Sequence, residues 1–232
     1  QSKPLNDDPI GNKIRLVIKK ALKHPDDSKV QDKACEVLRK WATSDENASK
    51  IILLGGLKMI SKAMRDHPDN SIVQAEASAL LAELVWVNPP CITEIIAEGF
   101  LSLVLTSMKN HETHHKVQQM GCGFFRAMSY DFANHPSINS VNGVGAIIDS
   151  MKRNPKKCDV LKEGCYFLQN MLCNPDILPE MIRLVVSEGI ALTIIDSTSD
   201  KVDDDEYHGV CLQKKAWLGL RSLDSQLKTS RT

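Results

Sequence analysis

The chain has 232 residues, 42% of them hydrophobic, and its 29 basic and 29 acidic side chains give a net charge of zero. That apolar share supports a substantial core, while balanced charge leaves no electrostatic footprint for nucleic acid or an anionic membrane surface. Aromatics are only 5%, and no apolar run approaches the ~18 residues of a membrane span.

Residues 1–9 read as an extension. The chain opens on Gln1 without methionine and lacks a basic region followed by an apolar one, as expected of a fragment or a processed chain. A first apolar segment carries Ile10, Ile14, Leu16 and Val17 and stops at the polar corner His24-Pro25-Asp26-Asp27. A long helix is expected from about Val30-Gln31 to Trp41. The same order then returns. Long segments restart at Val73-Gln74, Val117-Gln118 and Val160-Leu161, and more faintly at Leu212-Gln213. A fixed period of 43–44 residues is the signature of stacked helical units, each burying its apolar face against its neighbours.

Several columns keep this register. A small residue stands at Ala34, Ala77, Gly121, Gly164 and Ala216, where a helix is expected to cross its neighbour with the two backbones in close approach. Apolar columns follow at Val37, Leu80, Phe124 and Phe167, at Leu38, Leu81, Phe125 and Leu168, and at Trp41, Leu84, Met128 and Met171. These offsets trace one helix face. Ahead of each long helix, Gly11, Gly55, Gly99, Gly143 and Gly189 open a shorter apolar segment. A third, short helical piece precedes that glycine at residues 46–53, 90–98, 136–141 and 175–187, with Pro90, Pro136 and Pro175 suited to first-turn positions. Proline and Asp, Asn or Ser in the corners are expected to stop one helix and cap the next.

Short helix, glycine, middle helix, polar corner, long helix is the three-helix plan that resembles the armadillo repeat. The resemblance is carried by strings such as Ser49-Lys50-Ile51-Ile52-Leu53-Leu54-Gly55-Gly56-Leu57 and by the long-helix string from Val73 to Leu84, and it covers about residues 10–225. It implies an all-α, right-handed α-solenoid of about 4.5 repeats over residues 10–227, at about 10–43, 44–87, 88–131, 132–174 and 175–227, with a tail at 228–232. The first repeat begins mid-unit. HEAT repeats, with two helices, are the alternative architecture.

In armadillo proteins that capture extended peptides, the long helices line the concave face, where a column of asparagines holds the peptide backbone and a column of tryptophans frames its side chains. The corresponding residues here are Lys40, Glu83, Ala127, Asn170 and Ser222, and Glu36, Ala79, Gly123, Tyr166 and Leu218. Only Asn170 matches, with Tyr166 a partial substitute. The same register offers another set on that face: Lys33, Glu36, Lys40, Glu76, Glu83, Trp86, Arg126, Tyr130, Tyr166, Gln169 and Asn170. Aromatic and arginine side chains are typical binding anchors, although Trp86 could equally fold into the core. An insertion at 197–208 holds Asp203, Asp204, Asp205 and Glu206, either a solvated loop or a docking loop for a basic partner.

The resulting expectation is a non-catalytic scaffold binding a protein or an extended peptide, or else a structural subunit docked through its ends or convex face in a larger assembly. No cofactor, nucleic acid or membrane insertion is expected. Seven cysteines without a C-x-x-C pair point to an intracellular, reducing compartment, the cytoplasm ahead of the nucleus. Cys158, Cys165 and Cys173 could share a helix face, but zinc sites favour tight cysteine pairs. His111-Glu112-Thr113-His114-His115 matches the H-E-x-x-H pattern of zinc proteases, which requires one continuous helix. Here the match fills a polar corner, in a column with His24 and His67.

Overall fold

In the computed structural model of the protein, residues 8–187 are described, and all their regular structure is helical. The first unit has a middle helix α1 (Pro9–Lys23) and a long helix α2 (Ser28–Trp41). The second has a short α3 (Asp45–Leu53), α4 (Gly56–Asp66) and the long α5 (Ser71–Val87). Then come α6 (Ile92–Ala97), α7 (Phe100–Asn110) and α8 (His115–Met128), followed by α9 (His135–Ser140), α10 (Gly143–Arg153) and α11 (Cys158–Leu172). Helix α12 (Leu178–Ser187) opens the next unit. The expected last long helix, Gly189, Cys211 and the acidic segment Asp203, Asp204, Asp205 and Glu206 lie outside the described residues.

The long helices stack in order, α2 on α5, α5 on α8 and α8 on α11, and the middle helices α1, α4, α7 and α10 form a second layer. One continuous buried cluster runs from Ile14 to Val185. Helix α5 lies between two long neighbours and buries ten of its 17 residues, so SIVQAEASALLAELVWV shows little of the one-sided patterning of a surface helix. The apolar columns are buried as expected, with two exceptions: Val37 and Trp41 are half-buried. Their counterparts Phe167 and Met171 in α11 are fully buried, so these columns face the preceding unit. Helix α2 has a long helix on one side only among the described residues.

The Val-Gln mark that announces each repeat has a physical role that the sequence did not disclose. A helix ends with carbonyls that have no partner inside it. Gln31 Nε2 donates to the carbonyls of Ala21 and His24 at 2.9 and 2.7 Å, closing the end of α1. Gln74 does the same for Met64 and His67 at 2.8 and 2.9 Å, and Gln118 for Met108 and His111 at 2.7 and 2.9 Å. All three glutamines are buried. The fourth repeat has Leu161 there, and its corner residue Asn154 takes over, donating to Ser150 at 2.9 Å. The corner histidines tie one repeat to the previous one. His67 Nε2–H donates to the Pro25 carbonyl at 2.6 Å and His111 Nε2–H to that of Pro68 at 2.8 Å.

The capping expectation holds in the first two corners and fails in the next two. Asp27 accepts from the amides of Lys29 and Val30, and Asn70 from those of Ile72 and Val73. At α8 and α11 the N-cap residues are His114 and Lys157, which make no side-chain cap bond. The glycine column also shifts. Gly55 and Gly99 adopt left-handed φ of 90° and 76°, but the third such position is Asn142, with φ 56°, rather than Gly143. Asparagine tolerates this region best after glycine. Gly143 is helical and packs 3.0 Å, as a hypothetical Cβ, from the Ile138 carbonyl. Gly11 lies within α1, its amide donating to the Asp8 cap at 3.0 Å. The short pieces at 90–98 and 136–141 are each a 3-10 turn, Pro89–Cys91 or Phe132–Asn134, running into a six-residue α-helix. Pro136 takes a first-turn position, whereas Pro175 lies in a turn ahead of α12.

The small column is a packing contact, but with a side chain rather than a backbone. A Cβ on Gly121 would stand 2.4 Å from Met108 Sδ and 2.6 Å from its Cγ, and one on Gly164 2.5 and 2.7 Å from the same atoms of Met151. The middle helix supplies Ala21, Met64, Met108 and Met151 thirteen residues before Ala34, Ala77, Gly121 and Gly164. Larger residues in one helix thus accompany smaller ones in the next. Gly121→Leu is expected to lower stability by about 1–3 kcal/mol. Gly121→Ala trades up to ~1 kcal/mol of helix propensity against displacing the thioether. In a Met108→Ala background, Gly121→Ala should become much less costly. Denaturant melts of the four proteins measure this coupling, and a Gly121→Leu chain that melts like the parent would exclude the contact.

Gln74→Leu places the residue of the fourth repeat in the second without its companion asparagine. It should cost about 1–3 kcal/mol, because two helix-end carbonyls lose their buried donor. Adding His67→Asn should restore part of that loss. Equilibrium unfolding that shows no change for Gln74→Leu would remove the glutamine from the framework.

Candidate protein-interaction surface

The exposed face of the long-helix layer holds two kinds of side chain. The first is a set of ion pairs between consecutive repeats. Arg39 Nε reaches Glu76 at 3.4 Å, and Arg126 Nη1 reaches Glu163 at 2.9 Å. Both pairs span 37 residues. Between them, Ala82 and Met120 occupy the matching positions. On α2, Glu36 lies between Lys33 and Lys40, which hold its carboxyl at about 2, Lys33 contributing most. Such exposed pairs contribute little to stability in water. They fix side-chain positions more than they stabilise the fold.

The second kind is aromatic. Trp86 is 41% exposed and Tyr130 72%, and their rings stand 5.7 Å apart at 58°. Trp86 therefore belongs to the surface, not the core. The Arg126 guanidinium lies 5.3 Å from the Trp86 ring centre and 4.5 Å from that of Tyr166. Tyr166, Arg126, Trp86 and Tyr130 thus form one row across α11, α8 and α5. A cation over an aromatic ring contributes ~0.5–1 kcal/mol at exposed sites. Phe132, 45% exposed, follows Tyr130 by two residues. It gave no signal in the repeat register, since it falls in a 3-10 turn with no counterpart column.

The other expected residues divide. Asn170, the one match to a peptide-holding asparagine, is already engaged: its Nδ2 donates to Ser129 Oγ at 3.0 Å and to the Arg126 carbonyl at 3.4 Å. It joins α11 to the end of α8. Ala127, one repeat earlier, is buried. Gln169 is half-buried one repeat on from Arg126, and Lys40 is exposed at the far end of the layer. Glu83 is half-buried and makes no hydrogen bond or ion pair among the described residues. The register brings Trp86, Arg126, Tyr130 and Tyr166 together, while Lys40 stands apart, against Glu36.

The H-E-x-x-H string is divided between two elements. His111 caps the end of α7, His114 precedes α8, and His115 is the first residue of α8. His111 uses Nε2 to donate to Pro68, and Glu112 Oε1 lies 3.3 Å from Arg153 Nη1. The single helix turn that presents two imidazoles to one metal ion is therefore absent at this string. Cys158, Cys165 and Cys173 fall at the first residue, in the middle and at the C-cap of α11. Among the described residues no three His, Cys, Asp or Glu side chains are placed to hold a metal ion. No single described helix is long and apolar enough to cross a membrane.

Comparison with solved structures settles the architecture. A designed armadillo repeat protein in complex with the peptide (KR)4 superposes with a TM-score of 0.67 at 16% identity, over 89% of this chain and 90% of that one. The chain has the armadillo-repeat fold. An engineered protein aligns with a TM-score of 0.70 at 21% identity, over 88% of this chain and 76% of that one. A second designed armadillo repeat protein gives 0.55 at 13% identity, over 90% and 99%. No family model matches the chain. Protein aardvark of Dictyostelium discoideum is 29% identical in an alignment 96 residues long that covers 36% of this chain and 13% of that protein's length.

The cysteines of this armadillo array give a direct check on its packing. Cys35, Cys91 and Cys122 are buried, and burial pushes each thiol up to about 12. Only the thiolate attacks a disulfide reagent. At pH 8, Cys158 and Cys173, both exposed, should be labelled in the folded chain, and Cys35, Cys91 and Cys122 only on unfolding. Mass-spectrometric mapping that finds Cys35 labelled as fast as Cys173 would contradict this packing.

Proposed function

We propose that the chain is a non-catalytic protein-interaction scaffold that holds a protein or an extended peptide on the face of its long helices. The observation that carries this reading is the exposed row of Trp86 and Tyr130, continued by Arg126 and Tyr166 across three consecutive repeats. Large aromatic groups left in water on a rigid layer, here at the ends of its long helices, are the kind of anchor that dominates binding energy. On the same face Lys33 and Lys40 are paired with Glu36, Arg39 with Glu76 and Arg126 with Glu163, so these long side chains are preorganised and lose little freedom on binding. The peptide complex of the designed armadillo protein supports the same mode of use for this fold. With Asn170 engaged by Ser129 and Ala127 in the neighbouring position, the anchors differ from an asparagine ladder. The six cysteines among the described residues are all free thiols, which supports an intracellular, reducing setting for the scaffold.

A second reading, a subunit docked through its ends or convex face, rests on Leu16 and Leu53, 67% and 84% exposed on α1 and α3. The two are separated by variants. Tyr130→Ala is the cleaner probe, because Tyr130 is mostly exposed, whereas Arg126→Ala also breaks the pair with Glu163. Each should weaken capture of the native partner by tenfold or more, the loss of ~2 kcal/mol typical of a central anchor. Tyr130→Ala should leave the melting temperature unchanged. If Tyr130→Ala binds like the parent while Leu16→Ser or Leu53→Ser abolishes capture, the docked-subunit reading replaces the first.

A further inference from the structure

We propose that the outward face of α1 is a docking surface for an anionic phospholipid bilayer, with Leu16 entering between headgroups held by Lys13, Lys19, Lys20 and Lys23. This surface lies in the middle-helix layer and does not depend on the long-helix reading above. Three observations carry it. First, the balanced total charge of the chain conceals a segregated one. Helix α1, PIGNKIRLVIKKALK, has five basic side chains and no acidic one. Lys13, Arg15, Lys19, Lys20 and Lys23 are all exposed and form no ion pair among the described residues. Helix α4, packed beside α1, continues the field. It exposes Lys58, Lys62 and Arg65 against the single Asp66, which lies 2.7 Å from Lys62. Farther along the layer the field fades: α7 has Lys109 as its one charged residue, and in α10 Arg153 is matched by Asp149 and Glu112.

Second, acids flanking α1 are engaged. Asp8 lies 2.7 Å from Lys50 and accepts from the Gly11 amide, and Asp27 accepts from the amides of Lys29 and Val30. Third, the centre of the basic face is apolar. Ile14, Ile18 and Ala21 turn into the core, and Leu16, on the opposite side of the helix, is 67% exposed. Lys13, Lys19 and Lys20 stand three or four residues from Leu16, and Lys23 seven, so lysines flank it on both sides of a helix about 22 Å long. A bilayer meets both parts of this face. Anionic headgroups take the ammonium groups, while Leu16 and the lysine stems reach the acyl boundary. Nucleic acid would cover Leu16 with phosphates, and α1 has no aromatic ring on which a base could stack. An acidic polypeptide follows one row of side chains, whereas a lipid surface engages both flanks at once.

The test is co-sedimentation of the full chain with phosphatidylcholine vesicles containing about 30% phosphatidylserine, against vesicles of phosphatidylcholine alone. The anionic vesicles should bind and the neutral ones at least tenfold more weakly, and binding should fall away as salt rises from about 0.1 to 0.5 M. Lys13→Glu combined with Lys20→Glu should weaken it by about tenfold or more, and Leu16→Ser by about threefold to fivefold, at unchanged melting temperatures. Lys109→Glu, on α7, and Tyr130→Ala, on the long-helix face, should bind vesicles like the parent. The assignment is overturned by equal binding to neutral vesicles, by binding that survives Lys13→Glu with Lys20→Glu, or by a Leu16→Ser chain that binds like the parent. A duplex oligonucleotide or a polyglutamate peptide that binds α1 as tightly as the vesicles would also overturn it. If the vesicles fail to bind while Leu16→Ser abolishes capture of the native partner, the lipid assignment falls and α1 becomes the docking face of a larger assembly.

Discussion

The architecture depends on one polar interaction at the end of each middle helix. A helix that stops inside a packed layer leaves carbonyls facing away from water, and an unmet buried acceptor costs more than an ordinary hydrogen bond contributes. One buried glutamine amide, placed in the first turns of the next long helix, meets two of these carbonyls in each of the first three repeats. Because both hydrogens of the amide are used, the corner between the two helices has little freedom in angle or register. The methionines of α7 and α10 then fall against Gly121 and Gly164, and the long helices are left in a regular layer. Hydrophobic burial supplies most of the energy of this fold, but apolar contacts alone would tolerate sliding. The amide fixes where each helix begins.

That regularity produces the candidate interaction surface. Trp86, Arg126 and Tyr166 come from three helices, and no single segment contains a motif. They meet because successive long helices repeat with nearly the same offset, so that a side chain near the end of one helix stands beside its counterparts in the next. The inter-repeat ion pairs at Arg39 and Arg126 follow the same geometry. Their stabilisation is small in water. Their effect is to hold long, otherwise mobile side chains flat on the layer, which leaves the aromatic rings of Trp86 and Tyr130 open at one edge.

Solenoids distribute stability among neighbours, so a lesion in one repeat is felt mainly by the adjacent ones. The fourth repeat shows how the framework accommodates change. Leu161 replaces the glutamine, and Asn154 closes the end of α10 itself while also reaching toward the Glu112 carbonyl, the role played by histidine in the two corners before it. His135 and Asn174 add a further link between the third and fourth repeats, the Asn174 amide donating to His135 Nδ1 at 3.0 Å while His135 Nε2 meets the Ser129 carbonyl at 2.9 Å. The corners vary in chemistry, yet each still provides donors for the carbonyls that need them.

The sequence by itself determined the repeat period, the three helices per unit, the buried columns and the small residues set into them. These are local and periodic, and periodicity multiplies a weak signal over several copies. It also placed Trp86, Arg126, Tyr130 and Tyr166 on one face, because face membership follows from helical offset. What it misjudged depends on contacts between segments. Gly143 looked like the next member of the glycine column, but Asn142 takes the left-handed turn, since a one-residue shift leaves the apolar pattern intact. The glycine at 121 looked like a backbone crossing and proved to hold a methionine thioether. The meaning of Val-Gln, the exposure of Trp86 and the engagement of Asn170 were decided only by the tertiary structure. A polar side chain's role is set by which carbonyl, carboxylate or ring lies within about 3–5 Å of it; those neighbours lie 7 and 10 residues back, across the corner, for Gln31 and 37 to 44 residues away, in another repeat, for Arg126 and Asn170.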